Sequence, residues 1–333
     1  MPHTFAHPFF AAPLKRLMPH TLRTSGLVLG SMAPDFEYFA AMEPYRTIGH
    51  TFAGFFFIHL PLCSAAALVM GRLLLPTLPL LLPSCGGLDR FAERLSMRPL
   101  RTAGDWLAFI ASLFIGFLTH LFMDGWTHGH TVFTNRFAWL HAPGIGRFVV
   151  YESLQFVLSA LGAAAIALYV FLRWRAFRSA ESGGSRSPAH PPADKRRFRL
   201  IAAVVMAVVL AAKVVIDPPV NLPGAINVAP FTALVTGWMI AALTRHRPGA
   251  AWTALAALLI VMAGYNLAEA VLPKLLDMAS AGRMREPALT ACWIASLWCV
   301  SLIAAGCAAA ARSSPPGSGG VKPGVPRDWT SAG

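Results

Sequence analysis

Charged residues are scarce in this chain: 13% of its 333 residues are Asp, Glu, Lys or Arg, whereas 56% are hydrophobic. The mean hydropathy of +0.55 is too high for a water-soluble domain of ordinary composition. Glycine and proline are scattered without a repeat, which excludes a collagen-like chain, and the apolar content excludes a disordered one. The class that remains is a membrane protein with several spans.

Cysteine and acidic residues are also few. The five cysteines form no C-x-x-C pair, which argues against a disulfide scaffold and a thiolate metal site. Asp and Glu number 15 against 28 Lys and Arg, a net charge of +13. Neither zinc-finger spacing nor an aromatic-basic ladder accompanies this excess, so we expect no nucleic-acid partner. Loop charges that orient the spans explain the excess instead.

Hydrophobic runs of about 20 residues are long enough to cross a bilayer as helices. Seven such runs predict an all-α, polytopic transmembrane helix bundle. A shorter apolar stretch at 25–41, interrupted by Pro34 and Asp35, predicts an N-terminal half-helix. The proline-rich stretch 72–83 predicts a continuation of the first span or a re-entrant piece. The predicted spans cover 51–70, 104–123, 148–172, 199–216, 229–244, 250–272 and 288–311.

Basic residues are concentrated in two connecting segments. Residues 71–103 carry five arginines and residues 173–199 carry eight Lys and Arg, so the positive-inside rule predicts that both segments and the C-terminal tail are cytoplasmic. Residues 1–50 and the loops 124–147 and 217–228 are then predicted to face outward.

Composition also predicts the domain organisation. The Ser/Gly/Pro-rich stretch 179–194 predicts a flexible linker. It separates an N-terminal membrane half, residues 1–178, from a C-terminal membrane half, residues 195–311. Residues 312–333 predict a disordered tail.

Nine of the eleven histidines precede residue 142, which directs the search for chemistry to the N-terminal half. His120 and Asp124 are four residues apart at the end of a predicted span, so a helix places them on one face. This geometry suits a divalent metal, and the alternative is a hydrogen-bonded pair facing water at the helix end. His128 follows as a further ligand, a proton carrier or a loop residue.

Other polar residues converge on the same membrane face. His50 begins the span that precedes the one ending at Asp124, and His7 and Asp35 come before His50 without an intervening crossing. Taken singly, Asp35 is as well explained by a helix cap and His50 by an interfacial histidine. Together these residues predict one shared metal site.

The C-terminal half offers Lys213 and Glu269, each near the outward end of its predicted span. They can form a structural buried pair or serve as coupling groups in a transporter. The alternative to an enzyme is therefore a transporter or membrane scaffold with a polar outward-facing network and no catalysis. A haem protein with His50 and His120 as axial ligands is a third, weaker hypothesis.

The combination of motifs resembles a bacterial membrane family of unknown function, DUF 4184, from the N-terminus to about residue 310. Each motif is unspecific alone, whereas the combination is specific. The residues that carry the resemblance are Met1-Pro2-His3-Thr4-Phe5-Ala6-His7-Pro8, Gly30-Ser31-Met32-Ala33-Pro34-Asp35-Phe36-Glu37-Tyr38, Gly49-His50-Thr51 and His120-x-x-x-Asp124.

More distantly, the pattern is similar to inner-membrane metal-dependent hydrolases. These carry an early His, a Pro-Asp-x-Asp-His element, a Gly-x-x-His-Ser element and a later His-x-x-x-Asp. This resemblance implies five metal ligands here. They are His7, Asp35, His50, His120 and Asp124.

The chain departs from the hydrolase pattern at two elements. Glu37 and Tyr38 stand where the hydrolases have Asp and His, and Gly49 directly precedes His50, with Thr51 in place of Ser. One ligand is therefore missing or replaced by Glu37.

The leading hypothesis is an integral protein of the bacterial inner membrane that hydrolyses an ester or phosphoester at the membrane surface. A divalent metal, with zinc as the first choice, is the expected cofactor. Glu37 and Asp124 are the expected catalytic residues, with Glu37 as a ligand or general base. We expect contact with membrane lipids, a lipid-linked substrate and a site on the extracytoplasmic side; the oligomeric state stays open.

Overall fold

The computed structural model describes residues 4–181, 187–280 and 285–312. Over these residues the chain forms helices joined by loops and contains no β-strand, which confirms the predicted all-α bundle. Within the same residues, seven helices are long and apolar enough to cross a membrane, as the sequence predicts. We number the helices in chain order: α1 His7–Ala11, α2 Leu14–Leu17, α3 Thr24–Met32, α4 Phe36–Ala41, α5 Phe52–Leu81, α6 Leu88–Glu93, α7 Ala103–Thr127, α8 Val132–Arg136, α9 Val150–Ala180, α10 Pro192–Ile216, α11 Leu222–Thr244, α12 Pro248–Ser280 and α13 Arg285–Arg312.

The spans are α5, α7 and α9 to α13. The proline-rich stretch after residue 71 continues α5 to Leu81, which is the first of the two predicted alternatives. A wide turn at Met70–Leu74 precedes Pro76 and relaxes the helix before that proline. The predicted half-helix consists of α3 and α4, joined by the tight turn Ala33–Asp35.

Side-chain caps fix the starts of several spans. The Thr51 hydroxyl accepts a hydrogen bond from the Gly54 amide at 3.1 Å, and the Asn221 side chain accepts one from Gly224 at 2.9 Å. At the start of α7, Thr102 and Asp105 each accept a hydrogen bond from the other's amide. These caps satisfy backbone N–H groups that have no partner inside the helix.

The chain divides into two compact units. The first comprises Met1–Phe36, His50–Phe55 and Pro99–Gly183, and the second comprises Glu37–Gly49, Phe56–Arg98 and Gly184–Gly333. The second unit thus takes segments from both sides of the predicted linker. The boundaries predicted from composition stay a prediction. Residues 182–186 of that linker and the tail beyond Arg312 lie outside the described residues.

In the first unit, α3 and α7 approach backbone to backbone. A Cβ atom at Gly30 would overlap the Leu113 carbonyl, and one at Gly116 would overlap the Leu27 carbonyl. Glycine is therefore required for this approach, as in small-residue contacts between membrane helices. The contact sets the end of α3 beside the second half of α7.

The second unit has its own apolar core. Five of its spans contribute buried side chains to one cluster, including Leu73 of α5, Val205 of α10, Ile240 of α11, Leu255 of α12 and Ala308 of α13.

Candidate metal centre

The first unit brings the five predicted ligands together. His7 begins α1, Asp35 ends the turn after α3, His50 precedes α5, and α7 carries His120 and Asp124. Their donor atoms form two groups that share His120, and in each group all atoms lie within 4.8 Å of one another. The groups are His7, Asp35 and His120, and His50, His120 and Asp124.

The separations between donor atoms are those of ligands around an ion. Asp35 Oδ1 lies 3.7 Å from His50 Nε2 and 3.8 Å from His120 Nε2. Asp124 Oδ2 lies 3.5 Å from His50 Nε2, and Asp124 Oδ1 lies 3.8 Å from His7 Nε2. Two ligands of a tetrahedral zinc ion are about 3.3 Å apart, whereas an N–H···O bond spans about 2.7–3.2 Å. These four pairs are wider than an ordinary hydrogen bond and close to the spacing of metal ligands, and only the His50–Asp124 pair is near hydrogen-bond distance.

Burial makes the cluster costly without a cation. The exposed fractions are 4% for His7, 5% for Asp35 and 1% for His120. Two carboxylates withdrawn from water need compensating charge or hydrogen bonds. Asp35 Oδ2 accepts one such bond from the Thr4 hydroxyl at 2.6 Å, which leaves Oδ1 directed at the histidines.

A backbone carbonyl orients His120. The Ser31 oxygen lies 2.8 Å from His120 Nδ1, and a carbonyl only accepts, so Nδ1 carries a proton. The Nε2 atom lies 3.1 Å from Asp124 Oδ2, and a carboxylate only accepts, so Nε2 donates a proton in this contact and would lose it on binding an ion. The Ser31 contact is of the kind that fixes the orientation of a metal-binding histidine. Because Nε2 has a single lone pair, only one ion can use His120.

Two of the ligands contain buried atoms that lack partners. Both ring nitrogens of His7 and the Oδ1 atom of Asp124 have no hydrogen-bond partner within the described residues. Burial, and then the neighbouring His120 ring, hold the pKa of His7 at about 3. The ring is neutral at physiological pH and offers a lone pair. It stacks on His120 with ring centroids 4.0 Å apart.

His128 extends the cluster toward solvent. Its Nδ1 lies 3.6 Å from Asp124 Oδ1, and 31% of its side chain is exposed. The Thr127 hydroxyl lies 3.2 Å from the same nitrogen. Burial lowers the pKa of His128, although the Asp124 charge opposes this shift. Of the three interpretations open for His128, this position suits a ligand or a proton carrier.

Glu37 belongs to neither ligand group. Its carboxylate is fully buried in the second unit and accepts hydrogen bonds from the Gly49 amide at 2.9 Å and from Trp293 Nε1 at 2.9 Å. The Thr47 amide and hydroxyl also donate to it. This geometry anchors the segment that ends directly before His50. The role of Glu37 as a ligand or base stays a prediction.

The sequence reasoning missed Thr4 and Ser31. Thr4 holds Asp35 through its hydroxyl, and Ser31 holds His120 through its backbone carbonyl. Every residue has a carbonyl, so no sequence pattern distinguishes that of Ser31.

Lys213 forms a separate buried network in the second unit. Its ammonium donates to Glu43 Oε1 at 2.8 Å and to Asp217 Oδ2 at 2.7 Å. The sequence suggested Glu269 as the partner of Lys213, but the ion pairs of Lys213 are with Glu43 and Asp217. Asp217 follows Lys213 by one helical turn, so the pair forms within its own chain segment.

Comparison with known proteins places the chain among proteins without an assigned activity. A family described as a domain of unknown function (DUF4184) matches residues 1–305. No curated protein and no solved structure matches the chain.

Proposed function

The chain belongs to the DUF4184 family, and we propose, from the geometry of the His/Asp cluster, that it is a metal-dependent hydrolase of the membrane surface. The observation that carries the proposal is the cluster of three histidines and two aspartates whose donor atoms lie within 4.8 Å of one another in two groups. Among the described residues, both His7 nitrogens and Asp124 Oδ1 have no hydrogen-bond partner. Imidazole and carboxylate are ligands that zinc and related divalent ions prefer.

The cluster has the parts that a hydrolytic site needs. A divalent ion held there would supply a Lewis acid and would lower the pKa of a bound water for attack on an ester or phosphoester. Ser31 and Thr4 keep two ligands, His120 and Asp35, in fixed orientations. Of the two predicted catalytic carboxylates, Asp124 fits a proton acceptor better because its Oδ1 receives no hydrogen bond in the described part of the chain. Both oxygens of Glu37 already accept hydrogen bonds.

The position of the cluster supports a lipid-linked substrate. His50 lies two residues before α5 begins, and Asp124 lies three residues before α7 ends at Thr127. Span ends lie at the depth of lipid headgroups, where the ester and phosphoester bonds of lipids are found. We assign the site to the extracytoplasmic face of a bacterial inner membrane, since the basic loops are on the opposite side of the spans.

A second candidate function is a transporter or membrane scaffold without catalysis. The Lys213 network favours it, because ionisable groups buried in spans often mark transport pathways. Under this alternative, Lys213 matters for function and the metal content does not.

The deciding experiment measures metal in the detergent-purified protein by mass spectrometry. We expect about one equivalent of zinc, manganese or iron, lost in both His120→Ala and Asp124→Ala. His246→Ala is the matched control, since His246 lies in the loop after α11 and belongs to neither ligand group. A folded parent without metal, or variants that keep it, would disprove the metal site.

A second experiment tests the hydrolase assignment separately. The metal-loaded parent is expected to cleave a generic phosphodiester or ester probe, such as a nitrophenyl derivative, in mixed micelles. Asp124→Asn is expected to lose this activity, whereas His246→Ala keeps it. Bound metal without turnover of either probe class would contradict the hydrolase assignment and leave a metal-binding role.

A further inference from the structure

The second unit contains a cavity of about 320 Å³ where α5 ends and α10 begins. Its lining is basic and polar, with no acidic side chain. The residues are Pro83, Ser84, Pro192, Lys195, Arg196 and Arg199.

Two of the three cations in this lining are not neutralised by a carboxylate. Lys195 is buried and donates to Asp89 Oδ2 and to Ser84 Oγ, both at 2.8 Å. Arg199 donates to the carbonyls of Leu81 and Leu82 at 3.1 and 2.7 Å, and neither it nor Arg196 has an ion pair in the part of the chain that the structure describes. Carbonyl dipoles leave the full charge of a guanidinium in place, so the cavity is strongly cationic.

The pKa of the neighbouring His190 is also affected by the positive charge around the cavity. Burial lowers the pKa of this histidine, and the charges of Arg245 and Lys195 lower it further. The nearby Asp194 and Asp89 carboxylates oppose the shift without cancelling it. A local excess of positive charge attracts anions to this end of the second unit.

The cationic end continues directly into an exposed apolar face of α10. Residues 200–212 of α10 contain no polar side chain. Leu200, Val204 and Val208 are exposed and follow Arg196 at steps of four residues, so all four lie along one face of the helix. A ligand with an anionic head and an apolar chain would place its head at the arginines and its chain along the apolar face.

We propose that this cavity binds the phosphate headgroup of an anionic membrane lipid, with its acyl chains along Leu200, Val204 and Val208. Arg196 and Arg199 present guanidinium forks, which suit phosphate oxygens. Basic pockets between spans are a known class of lipid headgroup site. The inference is independent of the metal centre, which lies in the first unit.

The test titrates the detergent-purified full chain with phosphatidylglycerol, phosphatidylcholine or inorganic phosphate and follows the thermal unfolding temperature. We expect phosphatidylglycerol to raise this temperature at the lowest concentration. Arg196→Gln and Arg199→Gln are each expected to weaken this binding by about fivefold. Arg197→Gln is the matched control: the same charge is removed at an exposed neighbour outside the cavity lining, and binding should stay within about twofold of the parent.

Three outcomes overturn the proposal. Equal stabilisation by phosphatidylcholine removes the role of the anionic headgroup. Inorganic phosphate that stabilises the protein as well as the lipid does shows a site for free anions. An equal loss in Arg197→Gln and Arg196→Gln shows diffuse surface charge. Arg199 also binds the carbonyls that end α5, so if Arg199→Gln fails to fold, the Arg196→Gln and Arg197→Gln pair decides alone.

Discussion

The two units contain buried charged clusters of opposite character. Around Lys213 the ammonium lies 2.7 and 2.8 Å from its two carboxylates, within hydrogen-bond distance. In the first unit, Asp35 and Asp124 lie 3.5 to 3.8 Å from His7 and His50. The protein's own carboxylates pair with the Lys213 ammonium. In the histidine cluster, these donor atoms are separated by distances close to those between ligands of a shared cation.

Charge counting supports the same contrast. Glu43 and Asp217 share the charge of Lys213, and Glu43 also accepts hydrogen bonds from the amides of Val220 and Asn221. In the first-unit cluster, Asp35 and Asp124 contribute two negative charges, a protonated His120 offsets one of them, and a bound divalent ion would balance both. The contacts of Lys213 fit a structural network, and the proposed metal site accounts for the buried carboxylates of the first unit.

Removing the central charge of the complete network should have the largest effect. Lys213→Met leaves two partly buried carboxylates without their cation, and we expect a loss of about 3 kcal/mol in the free energy of unfolding, the lower end of the range for a broken buried pair. Denaturant unfolding of the purified protein measures it. Lys274→Met, at an exposed position on α12, is the control and should change little. Metal content should be unchanged in both variants, and a Lys213→Met protein as stable as the parent would show that the network is not structural.

Removing a ligand should affect the first-unit cluster only when metal is present. Phenylalanine at position 7 keeps the ring that stacks on His120 but removes two nitrogens that have no partner within the described residues. His7→Phe should therefore unfold like the parent in chelator. It should lack the parent's metal-dependent stabilisation, which is about 2.7 kcal/mol at a metal concentration 100 times Kd. Equal destabilisation of the variant with and without metal would show instead that His7 has a packing role.

Changing a residue that only supports a ligand should have the smallest effect. Thr4→Val has nearly the same shape and removes the hydrogen bond to Asp35 Oδ2. Metal affinity should fall by about tenfold, with the fold retained. Competition with a chelator measures it, and Thr253→Val on α12 provides a control in which an exposed hydroxyl bonds only its own helix. Unchanged affinity in Thr4→Val would mean that Asp35 needs no support from this hydroxyl.

Much of the fold follows from hydropathy alone. A backbone in lipid must satisfy its own hydrogen bonds, so long apolar runs become helices regardless of their neighbours. The seven spans and the interruption at Pro34 were therefore predictable. The continuation of α5 past Pro76 was only one of two predicted alternatives, because a proline alone does not reveal the wide turn at Met70–Leu74 that accommodates it.

The candidate ligands were also accessible from the sequence, because few residue types bind metals and topology limits which of them can meet. The sequence by itself thus determined the helical class, the number of spans and a short set of candidate ligands. Only the tertiary structure decided that Lys213 contacts Glu43 and Asp217, that Ser31 and Thr4 orient the ligands, and that the oxygens of Glu37 accept four hydrogen bonds. The Ser31–His120 contact depends on the close approach of α3 and α7 at Gly30 and Gly116, and the other contacts depend on amides, carbonyls and hydroxyls that occur throughout the chain. Their roles come from distances of a few ångströms, which no linear pattern encodes.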